Sequence, residues 1–367
     1  MARKKIVVGL SGGVDSSVTA KLLIDQGHEV VGIFMKNWED DSPECTAPQD
    51  CTTAEKIAQK LKIPFYTVNF SREYWENVFE YFLEENRQGR TPNPDILCNR
   101  HIKFGAFLRE AEKLGADLIA TGHYAKKYMN PKTKKYELHI PVDREKDQTY
   151  FLHAITQSQL AKALFPLQDL QKSEVRRIAR ENNFSTADKK DSTGICFIGE
   201  RNYMQFLQRY IRKDPGDFVD IDTGKKVGEH IGLSFYTIGQ RKNLQIGGVK
   251  GFEEKPWFVI EKDAKNNQIL VSQNEEKLLG KELTAHKLTW IGGNAPSENF
   301  ECEARIRYRS KKAKCYVKIE RRDAINRVSS QDSMTHITFD SPVRAISPGQ
   351  SIVFYDGDVC LGGGEIV

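Results

Sequence analysis

The stretch Gly9-Leu10-Ser11-Gly12-Gly13-Val14-Asp15-Ser16-Ser17 constrains the chain more than any other. A short apolar run, Ile6-Val7-Val8, precedes it and reads as a buried strand. After it, Val14, Val18 and Leu22 recur at helical spacing as far as Gly27, a C-terminal stop. The loop therefore joins a strand to the N-terminus of a helix. Two adjacent glycines allow a tight turn and bring backbone amides close to a ligand. Ser11, Ser16 and Ser17 add hydroxyls, and the helix dipole adds partial positive charge. Such a loop is a phosphate cradle. It lacks the lysine of a G-x-x-x-x-G-K-[ST] loop, which excludes an ordinary P-loop NTPase. The plain alternative is a strand-to-helix turn whose glycines serve sterics alone.

The rest of the first half alternates strands and helices. Val30-Val31-Gly32-Ile33-Phe34-Met35 is a second strand, followed by a polar loop from Asn37 to about Cys51 and a helix through Ala54, Ile57, Ala58 and Leu61. Pro64 introduces a third strand, Tyr74, Trp75, Val78, Phe79 and Phe82 mark an amphipathic helix, residues 102–114 are helical, and Asp117-Leu118-Ile119-Ala120-Thr121 is a fourth strand. This alternation predicts an α/β fold, a parallel doubly wound sheet covered on both faces. Ligands of such sheets bind beyond the carboxyl ends of the strands, where the cradle loop, Met35 and Gly122-His123 would share one crevice. Residues 159–183 read as helix, with Val175, Ile178 and Ala179 on one face. Beyond Arg212 strands replace helices, and Lys265-Asn266-Asn267 turns a hairpin. The expected division is a catalytic domain over residues 1–205, a small mixed domain over 206–282 and a C-terminal β-barrel over 283–367.

A net charge of +5 over 367 residues permits an acidic partner such as RNA without demanding one. Seven cysteines are too sparse for a disulfide scaffold and fit a reducing, cytoplasmic setting. Cys45 and Cys51 have no matching pair nearby and read as ordinary loop cysteines, and no metal ligand set is expected. No segment approaches the roughly 18 apolar residues that a membrane span needs.

Thr91-Pro92-Asn93-Pro94-Asp95-Ile96-Leu97-Cys98-Asn99 is the second informative stretch. Asn93 can cap a helix and Pro94 suits its first position, which sets Asp95 and Cys98 on one face of the opening turns. A helix N-terminus with Arg100, His101 and Lys103 nearby favours the thiolate, while Asp95 opposes it and suits proton handling better. A buried helical cysteine acting as a small hydrophobe is an equal alternative on spacing alone. Cys196 sits in a glycine-flanked loop behind Lys189 and Lys190, where a partner could reach it; an incidental loop thiol is the alternative. Arg305-Ile306-Arg307-Tyr308-Arg309 alternates, so three guanidinium groups would share one strand face suited to phosphates. A solvated strand face is the alternative for that charge run.

The cradle resembles the S-G-G-x-D-S signature of the PP-loop ATP pyrophosphatases, which cut ATP between its α and β phosphates. The resemblance narrows when the other motifs are added: Phe34-Met35-Lys36-Asn37-Trp38, the Arg90–Asn99 stretch, Ala120-Thr121-Gly122-His123-Tyr124, Lys146-Asp147-Gln148, Asp191-Ser192-Thr193-Gly194-Ile195-Cys196-Phe197-Ile198-Gly199, Gly239-Gln240-Arg241-Lys242 and Cys360-Leu361-Gly362-Gly363-Gly364. In that order, over nearly the whole chain, they are similar to those of the bacterial tRNA-specific 2-thiouridylases. The segment from about Arg321 to Met334 is long for a connection between two barrel strands.

What the resemblance implies is ATP-dependent, Mg²⁺-assisted adenylation of a uracil C2 oxygen, followed by sulfur transfer. Gly9, Leu10, Ser11, Gly12, Gly13, Val14, Asp15, Ser16, Met35 and Gly122 would bind ATP. Cys196 would carry persulfide sulfur delivered by a relay protein or cysteine desulfurase, and Cys98 would resolve the intermediate through a Cys98–Cys196 disulfide, with Asp95 as acid/base. Asn93, Pro94, Asp95, His123, Lys146, Asp147, Gln148, Arg307, Tyr308 and Gln350 would contact tRNA, which must present a flipped-out base. The resemblance implies the tRNAs for Lys, Glu and Gln as substrates, and a cytoplasmic monomer. Two rivals compete: a PP-loop synthetase acting on a small molecule, and a non-enzymatic ATP-binding regulator. The first leaves Cys98, Cys196 and the basic barrel strand without a task, and the second would release no pyrophosphate.

Overall fold

The computed structural model describes residues 2–38, 46–190, 203–320 and 334–367. Cys45, residues 191–199 with Cys196, and residues 321–333 of the long barrel connection lie outside these. The first half of the chain lays down β1 (Lys5–Gly9), β2 (Glu29–Lys36), β3 (Phe65–Asn69), β4 (Leu118–Ala120), β5 (Lys126–Met129), β6 (Tyr136–His139) and β7 (Ala163–Leu164). Five of them form a parallel sheet in the order β3-β2-β1-β4-β7. Both faces of β1 are buried, as period-two side chains on a covered strand require. Ile6 and Val8 pack with Ala20, Leu23 and Ala58, whereas Val7 joins Met35, Trp38 and Phe107 on the opposite face. Each of these fully buried aliphatic side chains stabilises the fold by about 2 kcal/mol. The strand order reverses between β1 and β4, so the crevice opens beyond Gly9 and Ala120, where the first helix (Val14–Asp25) begins.

Local readings changed in three places. The second helix spans Ala47–Leu61 and starts earlier than expected, because Pro48 in its first turn needs no hydrogen-bonded N–H. Cys51 is therefore helical, its Sγ 3.5 Å from Thr67 Oγ1. Residues 159–183 are not one helix. A capping box of Thr156 and Gln159 opens the helix Gln157–Lys162, the chain then pairs Ala163 and Leu164 with β4, and a new helix runs Lys172–Glu181. Finally, β5 and β6 form an unforeseen hairpin whose turn is organised by Asn130 Oδ1 accepting the amides of Lys132 and Thr133.

A second, mixed sheet has the order β10-β11-β8-β9 and contains β8 (Gly216–Asp220), β9 (Lys226–His230), β10 (Phe258–Asp263) and β11 (Gln268–Ser272). The last part of the chain forms a closed barrel of β12 (Leu279–Trp290), β13 (Asn299–Arg305), β14 (Ala313–Ile319), β15 (Thr335–Arg344), β16 (Ser351–Asp356) and β17 (Val359–Ile366). Its ring runs β12-β15-β14-β13-β16-β17 and closes by β12 pairing with β17, which leaves no open edge among these six. The β5–β6 hairpin extends the same sheet through His139 and Leu138 opposite Val359 and Cys360, tying the first part of the chain to the barrel. Strand β13 stops at Arg305; Arg309 adopts φ +65° and Ser310 N–H returns to Arg307 O at 3.1 Å. Arg305 therefore ends the strand while Arg307 and Arg309 lie on the turn, so the three guanidinium groups do not share one strand face. Among the described residues, no helix is long and apolar enough to cross a membrane.

Candidate functional site

The cradle is built by close approach. Gly12 adopts φ +70°, and a Cβ there would stand 2.4 Å from the Asp50 carbonyl oxygen, so only glycine fits. No side chain caps the first helix at Gly13, which leaves its first-turn amides available to an anion. Ser11 N–H donates to Ser16 Oγ at 3.2 Å, while the Ser16 and Ser17 hydroxyls donate to Gly13 O at 3.1 and 2.9 Å. Gly122, just past β4, presses on the same turn: a Cβ would lie 2.9 Å from Asp15 C and Ser16 N. The Met35 methyl lies 3.0 Å from where a Gly9 Cβ would be. Gly9 thus packs on Met35 and Gly122 on the loop, while Leu10 and Val14 are buried in the core.

The cradle's cations come from far along the chain. Lys172 Nζ donates to both Asp15 carboxylate oxygens at 2.7 and 2.8 Å, and Tyr124 OH donates to Asp15 Oδ1 at 2.9 Å. Lys189 Nζ donates to Gly12 O at 2.9 Å and to the Asp50 carboxylate. Lys172 and Tyr124 are the site residues that sequence reasoning missed. The one available signal was negative: a phosphate loop without its own lysine needs positive charge from elsewhere.

Asn93 Oδ1 accepts Asp95 N–H at 3.1 Å and Pro94 opens the short helix Pro94–Leu97, as the capping pattern required. Cys98 begins a π-helix, Cys98–Ala106, and is fully buried in the cluster that includes Met35, Ile96, Ile102 and Tyr150. The barrel grips the strand of chain before it. Thr91 N–H donates to Pro348 O at 2.9 Å and Gln350 Nε2 donates to Thr91 O at 2.6 Å, which sets Gln350 beside Asn93 and Pro94.

A cavity of about 400 Å³ opens between residues 144–147 and the turn after β13, lined chiefly by Arg144, Lys146, Asp147, Arg305, Tyr308 and Arg309. Asp147 is buried and paired with Arg305 Nη1 at 2.7 Å; its other oxygen accepts Thr149 N–H and Oγ1–H at 2.9 and 2.7 Å. Tyr308 packs on Phe151, ring centroids 4.3 Å apart, and Asn99, the neighbour of Cys98, donates to Phe151 O. Lys146, Asp147 and Tyr308 thus meet at one cavity. Arg307 turns elsewhere, donating to Ile238 O at 2.7 Å and Ser347 Oγ at 2.6 Å, and burial lowers its guanidinium pKa. His123 does not line the cavity. It is buried between Phe104 and Phe165 with Nδ1 2.8 Å from Thr121 Oγ1, and burial first, then the charge of Lys103, holds its pKa well below the ordinary histidine value. Gln148 Oε1 accepts Tyr124 N–H at 2.9 Å.

Three family models match in succession: a tRNA methyl transferase HUP domain over residues 4–200, a tRNA methyl transferase PRC-barrel domain over 204–273 and an aminomethyltransferase beta-barrel domain over 280–366. The tRNA-specific 2-thiouridylase MnmA of Francisella tularensis subsp. holarctica is 50% identical over 371 aligned positions, covering 100% of both chains. The same identity and coverage hold for that of Francisella tularensis subsp. novicida. The chain belongs to the tRNA-specific 2-thiouridylase family. Among solved structures, the U34-tRNA thiolase NcsA from Methanococcus maripaludis aligns over 56% of this chain and 62% of its own at 18% identity, with a TM-score of 0.36.

Proposed function

We propose that the chain is an ATP-dependent sulfurtransferase that replaces the C2 oxygen of the wobble uridine of tRNA by sulfur. The observation that carries this reading is the end-to-end identity with curated 2-thiouridylases, which leaves no part of the chain unmatched. The site chemistry agrees with it. A uracil C2 oxygen leaves poorly as it stands, and transfer of AMP from ATP makes it part of a good leaving group while releasing pyrophosphate. Ser11 to Ser16, with Gly9 and Gly122 allowing close approach, would hold the phosphates, and Met35 would border the adenosine. Lys172 and Lys189 would balance the charge that a Walker lysine balances elsewhere. Mg²⁺ would use the phosphates with one carboxylate and water, and Asp15 or Asp50, which border the cradle, would first exchange Lys172 or Lys189 for it. It would neutralise phosphate charge when bound.

Sulfur transfer follows as two displacements. The terminal sulfur of a Cys196 persulfide attacks C2 and AMP departs. The Cys98 thiolate then attacks the Cys196 sulfur, breaking the persulfide S–S bond, leaving sulfur on C2 and forming a Cys98–Cys196 disulfide that an external thiol reduces. Asp95, on the Asn93-capped turn three residues before Cys98, would handle protons. The sulfur would come from a relay protein or cysteine desulfurase. Asn93, Pro94, His123, Lys146, Asp147, Gln148, Arg307, Tyr308 and Gln350 would form the tRNA contact, with His123 needing exposure first. The reading includes a cytoplasmic monomer, tRNAs for Lys, Glu and Gln, and domain boundaries at residues 205/206 and 282/283.

Pyrophosphate release from ATP, measured with and without tRNA, tests the reading. Release that depends on tRNA supports it. Release driven by a small molecule and indifferent to tRNA would favour a PP-loop synthetase, and no release under either condition an ATP-binding regulator.

A further inference from the structure

The two candidate sites are joined by an unbroken set of hydrogen bonds that runs through Asp143, Gln148, Tyr124 and Lys172. Residues 143–148 carry Arg144, Lys146 and Asp147 to the cavity. At one end of this loop the buried Asp143 carboxylate accepts the Lys146 amide at 3.2 Å on one oxygen and the Lys172 amide at 2.8 Å on the other. Lys172 then delivers its ammonium to Asp15 in the cradle. At the other end, Gln148 exchanges two bonds with the Tyr124 backbone, N–H to Tyr124 O at 3.0 Å and Oε1 from Tyr124 N–H at 2.9 Å. Tyr124 delivers its hydroxyl to the same Asp15 carboxylate. Both ends of the loop therefore terminate on one side chain of the phosphate cradle. Tyr124 is buried in a cluster with Val14, Val18 and Val175, and the Lys172 ammonium lies 5.6 Å from its ring centroid. A close-packed connection of this kind transmits a shift of the loop rather than absorbing it.

We propose that Tyr124 and Lys172 are positioning residues that lock Asp15 to the loop 143–148, so that RNA at the cavity and nucleotide in the cradle strengthen each other's binding. The proposal rests on the function proposed above for the identity of the two ligands. Linkage makes the effect reciprocal: whatever factor RNA applies to nucleotide affinity, nucleotide applies to RNA affinity. It also gives the order of events a physical basis, since ATP would be held in its reactive arrangement chiefly when tRNA is present.

The test measures the affinity of the full chain for α,β-methylene-ATP with and without a transcribed tRNA whose anticodon begins with uridine. In the unaltered protein the tRNA should tighten the nucleotide by about fivefold or more, the lower end of ordinary coupling. Tyr124→Phe removes only the hydroxyl and should reduce that factor to below about twofold, with tRNA affinity in the absence of nucleotide unchanged. Asp143→Asn, which has one acceptor oxygen where the carboxylate uses two, should lower it too and decides the matter if Tyr124→Phe does not fold. Tyr236→Phe removes another buried phenol, near the second sheet, and should keep the full factor; a purely structural role for Tyr124 would make the two variants alike. Full coupling in both Tyr124→Phe and Asp143→Asn, or no effect of tRNA in the unaltered protein, overturns the proposal. Formation of 2-thiouridine by the unaltered protein, assayed in parallel, judges the function separately: product without coupling sinks only this inference, and coupling without product sinks only the function.

Discussion

Replacing Gly122 by alanine adds one methyl group at the point where β4 meets the cradle. Ordinary carbon contacts begin near 3.4 Å, and the new Cβ would stand 2.9 Å from Asp15 C, Asp15 Cβ and Ser16 N. The neighbours must therefore give way by about 0.5 Å, and two of the three are backbone atoms at the start of the first helix. Gly122 does not occupy the left-handed region, so the cost is steric rather than conformational. Overpacking of this kind costs about 1–3 kcal/mol. Expressed at the cradle, it weakens nucleotide binding by about 5- to 150-fold. The assay is calorimetric titration of the full chain with α,β-methylene-ATP, alongside a thermal melt. Gly27→Ala is the control: Gly27 has φ +81° with nothing within 4 Å of the added Cβ, so it should lose about 1 kcal/mol of stability and no nucleotide affinity. Nucleotide affinity within twofold of the original in a folded Gly122→Ala protein would refute the placement of phosphate between Gly122 and the loop.

Three further outcomes follow from the geometry. Arg305→Ala strips the buried Asp147 of its ion-pair partner, and chemical denaturation should show a loss of about 3–5 kcal/mol, whereas a loss below about 1 kcal/mol would mean that solvent reaches Asp147. Burial raises the Glu365 pKa, but the His286 ring 3.8 Å away, the hydrogen bond from Tyr81 and the charge of Lys287 outweigh it and hold the group down to about 2. A depressed carboxylate stabilises the fold above its unfolded pKa near 4.5 and loses that contribution as pH falls towards 2. Glu365→Gln should thus cost about 3 kcal/mol at pH 7 and almost nothing near pH 2, and a cost independent of pH would contradict the assignment. Cys98→Ser and Cys196→Ser should each abolish thiolation while nucleotide binding survives; full thiolation by either variant removes that residue from the mechanism.

The cradle, the first four strands of the parallel sheet and the Asn93 cap were legible because each is a local property: glycine placement, an apolar run, a capping residue before proline. The barrel was legible from its strand punctuation. Elements specified by distant partners were not. The two-residue strand β7 has no periodicity of its own and exists because Ala163 and Leu164 find the edge of β4. The alternation in Arg305 to Arg309 looks like a strand, but the left-handed turn at Arg309 and the pull of Ile238 O and Ser347 Oγ on Arg307 end it. Lys172 is invisible beside Asp15 in sequence because the two are 157 positions apart. His123 shows the limit from the other side: the motif marks it for RNA contact, and the fold puts it between two phenylalanine rings.

Mass spectrometry of nucleosides from unmodified tRNA, incubated with the protein, ATP, Mg²⁺, a cysteine desulfurase with cysteine as the persulfide source, and a reducing thiol, measures the reaction itself. The expected result is a new nucleoside with the mass of 2-thiouridine, absent when ATP or the protein is omitted. A methylated uridine in its place, or unaltered tRNA despite intact ATP binding, would contradict sulfur transfer to C2.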